Sequence, residues 1–173
     1  METTKKEELT RVQREDGKYN LINANDKLFF DKWFECIGCF DEGLARVQRE
    51  DGKFNLITEN GKFLSKQWFD WVGDFYDEFA LVERKNHEYN YIDKQGKILS
   101  EEWFKWLDLF HFEFTRVERG DGLMNFIDKK GKILSNEWFR YVDYFDQYDL
   151  AVVERTNGEC CKIDKNGKIV VSK

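Results

Sequence analysis

Residues 44–80 read LARVQREDGKFNLITENGKFLSKQWFDWVGDFYDEFA. This stretch decides the fold, because almost all of the remaining chain is another copy of it. Its Trp68-Phe69 pair recurs as Trp33-Phe34, Trp103-Phe104 and Trp138-Phe139, each 35 residues after the last (68 − 33, 103 − 68, 138 − 103). The same step relates Asn20, Asn55, Asn90 and Asn125, and again Phe40, Phe75, Phe110 and Phe145. After Phe145 one residue is inserted, so Ile127 maps to Ile163. Self-similarity at such a period marks a repeat architecture. Residues 1–8 read as a disordered N-terminus, and residues 9–173 as a single repeat domain of four full units and a partial fifth.

Within the unit, Leu44–Glu50 alternates with period two, as a strand with one buried face does. Asp51-Gly52 then predicts a two-residue hairpin turn, in which both residues take positive φ. Asp16-Gly17, Asp121-Gly122 and Asn157-Gly158 are its counterparts, and Asn86-His87 is a weaker form. Lys53–Thr58 is a second strand, apolar on both faces and so expected to be covered. A turn at Glu59-Asn60-Gly61 leads to a short third strand at Lys62–Leu64. Beyond Ser65, a good helix N-cap, Trp68, Val72 and Phe75 fall at helical spacing, which predicts a short helical or irregular crossover. The expected fold is all-β: an array of three-stranded antiparallel meanders with short helical crossovers, forming an open twisted solenoid. A closed propeller-like ring is the alternative.

A chain of 173 residues can bury a real core. Its net charge of −6 supplies no basic face for phosphates, which argues against nucleic acid as the main partner. The first residues, METTKKEELT, lack the apolar run of a signal peptide, and no stretch is long and apolar enough to span a bilayer. The expectation is a cytoplasmic protein without membrane contact. Cys36 and Cys39 have the spacing of half a zinc site, but the adjacent Cys160 and Cys161 make a poor second half. All four stand at ordinary repeat positions, so neither a metal nor another cofactor is expected.

Tyr91-Ile92-Asp93-Lys94-Gln95-Gly96-Lys97-Ile98 and Phe126-Ile127-Asp128-Lys129-Lys130-Gly131-Lys132-Ile133 resemble the second half of the WG (or KWG) repeat. Phe40-Asp41-Glu42-Gly43-Leu44-Ala45-Arg46-Val47 is similar to its other signature. The resemblance covers nearly the whole chain. It departs at the hallmark Trp-Gly pair, which is replaced by Tyr19-Asn20, Phe54-Asn55, Tyr89-Asn90, Met124-Asn125 and Cys160-Cys161, and at the family's prolines. What it implies is a divergent bacterial β-repeat module that binds other molecules and carries no catalytic residues.

The residues themselves point the same way. His87 and His111 are the only histidines, and neither has a recurring partner. No phosphate loop or nucleophile elbow is present, so the chain reads as non-enzymatic. Arg14, Arg49, Arg84, Arg119 and Arg155 occupy one repeat position. As a site, this ladder would hold an anionic ligand or an acidic peptide. As structure, a two-residue turn sets Arg49 across from Phe54, guanidinium on ring; that reading is preferred. The Asn column is expected to satisfy backbone groups between units. Trp33, Trp68, Trp103 and Trp138 recur in register and are expected in the core. Trp71, Trp106 and Tyr141, which vary in identity at one position, are the candidate ligand-facing aromatics. The function expected is protein–protein interaction through the repeat surface. The alternative is binding of a glycan or small ligand by exposed aromatics. A flat exposed aromatic row would favour the first and separate aromatic clefts the second.

Overall fold

The computed structural model describes residues 9–170; the expectation of disorder at residues 1–8 lies outside them. The strands are β1 (Thr10–Gln13), β2 (Tyr19–Ile22), β3 (Cys36–Ile37), β4 (Leu44–Gln48), β5 (Phe54–Thr58), β6 (Trp71–Tyr76), β7 (Phe79–Arg84) and β8 (Glu88–Asp93). They continue with β9 (Trp106–Leu107), β10 (Phe114–Glu118), β11 (Met124–Asp128), β12 (Tyr141–Val142), β13 (Leu150–Glu154), β14 (Cys160–Asp164) and β15 (Ile169–Val170). They form small antiparallel sheets in the orders β1-β2, β3-β4-β5, β6-β7-β8, β9-β10-β11 and β12-β13-β14-β15. None closes on itself. The described residues fall into two compact units: one runs through Arg84 and includes Ile92–Lys97, the other holds Lys85–Tyr91 and continues from Ile98.

The crossovers are not helical; no helix occurs among the described residues. The stretch read as a helix supplies the third strand of the next sheet. Trp71 pairs with Glu83 and Val72 with Val82, and then the register shifts so that Phe75 meets Ala80. That bulge adds a residue to one strand and breaks its alternation, so a β-segment acquires helix-like spacing. Trp71, Val72, Phe75 and Tyr76 are good strand formers, and Gly73-Asp74 between them falls at the bulge. Conversely, Lys62–Leu64 is not a full strand: it makes a single bridge, Ile57 to Phe63. Only the last repeat builds the third strand where the sequence placed it, with β15 paired to β14.

The hairpins stand where the Asp-Gly pairs stand, but their loops hold three residues. Arg49 N donates to Lys53 O at 2.8 Å and Gly52 N to Arg49 O at 2.9 Å, and only Gly52 has positive φ, at 80°. This is the turn-plus-bulge loop in which a single left-handed residue suffices. The expected two-residue geometry occurs instead at Asn86-His87, with φ of 70° and 53°.

In each Trp-Phe pair the Phe fills the core. Phe34, Phe69, Phe104 and Phe139 are 0–4% exposed, while each Trp is half-buried. In the first unit Phe34 packs with Leu21, Ile37, Ala45, Val47 and Ile57. In the second, Phe139 packs with Phe126, Val142, Ala151, Val153 and Ile163. The Asn column is buried and satisfied, but within a repeat rather than between repeats. Asn125 Nδ2 donates to Ser135 O at 2.9 Å and Glu137 O at 3.0 Å, and its Oδ1 accepts from Phe126 N at 2.8 Å. Asn20, Asn55 and Asn90 repeat the pattern. Each Asn thereby pins the loop before the Trp-Phe pair to the second hairpin strand. Ser65, Ser100 and Ser135 cap that loop, each Oγ accepting the N–H two residues on, with no helix beneath.

Candidate functional site

Because the hairpin loop has three residues, Arg49 stands opposite Lys53, and Gln48 takes the place across from Phe54. The arginine stacks on an aromatic ring, but the ring is Trp68, with Cζ 4.4 Å from its centroid. Arg14 lies 4.9 Å over Trp33 and Arg119 4.5 Å over Trp138. Each guanidinium also binds the turn aspartate two residues on: Asp16, Asp51 and Asp121. The hydrogen bond from Arg14 holds the Asp16 carboxyl down to about 2, against the upward push of desolvation. Arg84 is exposed at the end of β7. Arg155 meets acids, Glu137 at 3.1 Å and Glu159 at 3.0 Å. Arg14, Arg49 and Arg119 thus have aromatic and carboxylate partners already in place.

In the first unit the structure brings two of these stacks together. Arg14, Trp33, Arg49 and Trp68 line an open groove of about 930 Å³ with Phe30 and Phe63. Its floor is aromatic: Phe30 stacks on Phe63 at 5.5 Å and Phe34 on Trp68 at 6.4 Å.

The second column behaves differently. Trp71, Trp106 and Tyr141 are 41%, 38% and 46% exposed, while the next residues, Val72 and Val142, are 1% and 0% exposed and Leu107 is half-buried. Each ring opens a strand, and alternation turns it outward while its neighbour enters the core. Trp71 leans over Gly73, where an added Cβ would lie 2.7 Å from the ring. Arg116 sits 5.6 Å from the Trp106 ring. Trp71 belongs to the first unit, and Trp106 and Tyr141 to the second.

A further arginine position went unrecognised in the sequence: Arg11, Arg46 and Arg116, signalled by the same step of 35 and its double. These residues reach from one repeat to the next. Arg11 Nη1 donates to Ile37 O at 2.8 Å, and Arg116 Nη1 to Val142 O at 3.3 Å. Arg46 binds Asp74 at 2.5 Å, and Arg116 stacks 3.7 Å from the centroid of Tyr144. Beside them lie two equivalent clefts. One, of about 420 Å³, is lined by Arg46, Leu56, Phe75 and Lys94. The other, of about 320 Å³, is lined by Arg116, Phe126, Phe145 and Lys165. At the rim of the second, Phe112 is 89% exposed at φ 57°, a conformation costly for a bulky side chain. His111 packs 4.4 Å from Tyr144.

Arg116 also grips Asp108 through two donors, at 3.1 and 2.6 Å, and the Tyr144 hydroxyl donates to the same carboxylate. Burial would raise the Asp108 carboxyl, but these hydrogen bonds outweigh it and hold it below its ordinary value. The Asp108 carbonyl accepts from the Tyr91 hydroxyl at 2.6 Å. Burial, with the Asp108 charge nearby, pushes that phenol up to about 12. Cys36, Cys39 and Cys160 are exposed free thiols, and Cys161 is half-buried.

No protein-family model matches the chain, and no curated protein matches it. Among solved structures, the computationally designed Ika8 protein aligns over 98% of this chain and 59% of its own, at 14% identity and a TM-score of 0.38. BamB from Moraxella catarrhalis aligns over 94% and 60%, at 10% identity and 0.35. KlHsv2 with loop 6CD replaced by a Gly-Ser linker aligns over 95% and 62%, at 10% identity and 0.39. The chain thus spans 59–62% of the length of these three. Likeness at this level assigns neither a shared fold nor an activity. No helix among the described residues is long and apolar enough to cross a membrane.

Proposed function

We propose that this chain is a non-enzymatic binding module, a divergent WG-like open repeat array of the cytoplasm, that holds another protein through the column Trp71, Trp106 and Tyr141. The observation that carries the reading is the outward presentation of three large aromatics at one repeat position, each beside a residue in or at the core. Aromatic residues and arginine are the types that concentrate binding energy at interfaces. The column lines neither of the two clefts nor the aromatic groove. Its rings lie on strand surface, which suits a broad partner better than a small one.

The recurring clefts at Arg46/Phe75 and Arg116/Phe145, with the Trp33/Trp68 groove, favour a second reading: a small ligand or glycan held between repeats. One comparison separates the two. Trp71→Ala/Trp106→Ala is expected to keep the wild-type thermal melt and to lose the partner captured by the wild type from its native host. If the double variant keeps the partner, the column is not the interface. If it unfolds, the rings are structural. A captured glycan or small molecule unaffected by the double variant would point to the clefts.

A further inference from the structure

In every repeat from the second on, a short strand covers the outer edge of the first hairpin strand and sets an aliphatic residue against its valine. Ile37 pairs with Val47, Val72 with Val82, Leu107 with Val117 and Val142 with Val153. The residue before the aliphatic is Cys36, Trp71, Trp106 or Tyr141, and the one after it is Gly or Asp. Where this joint is made, the valine is sealed: Val47, Val82, Val117 and Val153 are each 0% exposed.

The first repeat carries the same strand, Arg11-Val12-Gln13 against Arg46-Val47-Gln48, and the same hairpin register, with Val12 opposite Asn20 as Val47 is opposite Asn55. Among the described residues, however, β1 pairs only with β2, and Val12 is half-buried rather than sealed. The outward-facing groups follow from the second repeat. There Arg46 O accepts from Gly38 N at 2.7 Å and Gln48 O from Glu35 N at 2.9 Å. The counterparts on β1 are the backbone groups of Arg11 and Gln13. Those of Val12 and Arg14 face β2, Arg14 N donating to Lys18 O at 2.8 Å.

We propose that the outer edge of β1 is a docking site for an extended segment of a partner protein, added as an antiparallel strand. The segment sets an aliphatic side chain opposite Val12, with Gly or Asp after it and, as in three of the four internal copies, an aromatic residue before it. The occupant's chemistry is defined by the four copies of this joint inside the chain. Backbone hydrogen bonds supply affinity in such strand addition, and alternate side chains supply specificity. This edge is separate from the aromatic column: it reads an aromatic segment, whereas the column presents one.

The probe is a synthetic peptide of residues 136–146, NEWFRYVDYFD, titrated into the full chain and followed by calorimetry and amide NMR shifts. Saturable binding is expected, with shifts confined to β1 and β2. Val142→Lys in the peptide is expected to weaken binding by about tenfold or more, because it buries an unpaired charge at the joint. Gln13→Pro in the chain removes an outward N–H and leaves the β1–β2 bonds intact, and is expected to weaken binding by about tenfold. Its thermal melt reports whether that variant folds, and the peptide variant makes no demand on folding. The proposal is overturned if the full chain shows no saturable binding, as it would with the edge already filled by residues 1–8 or by a second copy. It is equally overturned if Val142→Lys binds as well as the parent peptide, or if the shifts fall outside β1 and β2.

Discussion

Two glycine columns look alike in the sequence and should respond differently to alanine. Gly122, in the first turn, and Gly131, in the second, have φ of 80° and 85°. An alanine at either position meets the same left-handed backbone penalty of about 1 kcal/mol. Around Gly122 an added Cβ would meet nothing within 4 Å. At Gly131 it would lie 1.8 Å from Leu99 O and 2.9 Å from Leu99 C, where ordinary contact begins near 3.4 Å. The obstacle is the backbone of the preceding repeat, so no rotamer change relieves it, and overpacking of this kind adds roughly 1–3 kcal/mol. Gly122→Ala should therefore cost about 1 kcal/mol and Gly131→Ala about 2–4 kcal/mol. For a chain of this size each kcal/mol lowers Tm by roughly 2–4 °C. Thermal and urea melts followed by tryptophan fluorescence measure both. Asn tolerates positive φ, so Gly122→Asn should regain most of the loss and Gly131→Asn none of it. Equal losses for the two alanine variants would refute the claim that the second glycine is where one repeat's backbone rests on the next.

Three further outcomes follow. Asn125→Ala should destabilise the chain by about 2–4 kcal/mol, because it strands buried backbone groups at Ser135 and Phe126 and a part-buried one at Glu137; the urea midpoint reports it. A double-mutant cycle should give Arg49 a coupling of about 0.5–1 kcal/mol with Trp68 and none with Phe54. Tyr91 has a folded pKa of about 12, above its ordinary 10.0, so its contribution is complete below pH 10 and is lost as the pH rises toward 12. Tyr91→Phe should cost about 1 kcal/mol at neutral pH through the lost bond to Asp108 O, and should flatten the alkaline loss of stability in melts taken across that window.

The repeat length, the hairpin positions and the buried Asn column were all legible in the sequence. Each rests on local chemistry repeated in register: alternation, a glycine where φ must be positive, an amide among apolar neighbours. The outward column at Trp71, Trp106 and Tyr141 was legible too, from its variable identity. Tertiary structure decided what lies beside what. Val72 and Phe75 have a spacing that fits either a helix or a bulged strand, and only pairing with Val82 and Ala80 makes it the latter. Arg49 could be seen to need an aromatic partner, but its choice of Trp68 over Phe54 turned on one extra residue in a hairpin loop. Gly122 and Gly131 share a conformation, and only the carbonyl of Leu99, more than thirty residues earlier in the chain, tells them apart. Local geometry is written in adjacent residues. Strand order, stacking partners and close approach arise from contacts between residues far apart in the chain, and a periodic pattern fits more than one such set.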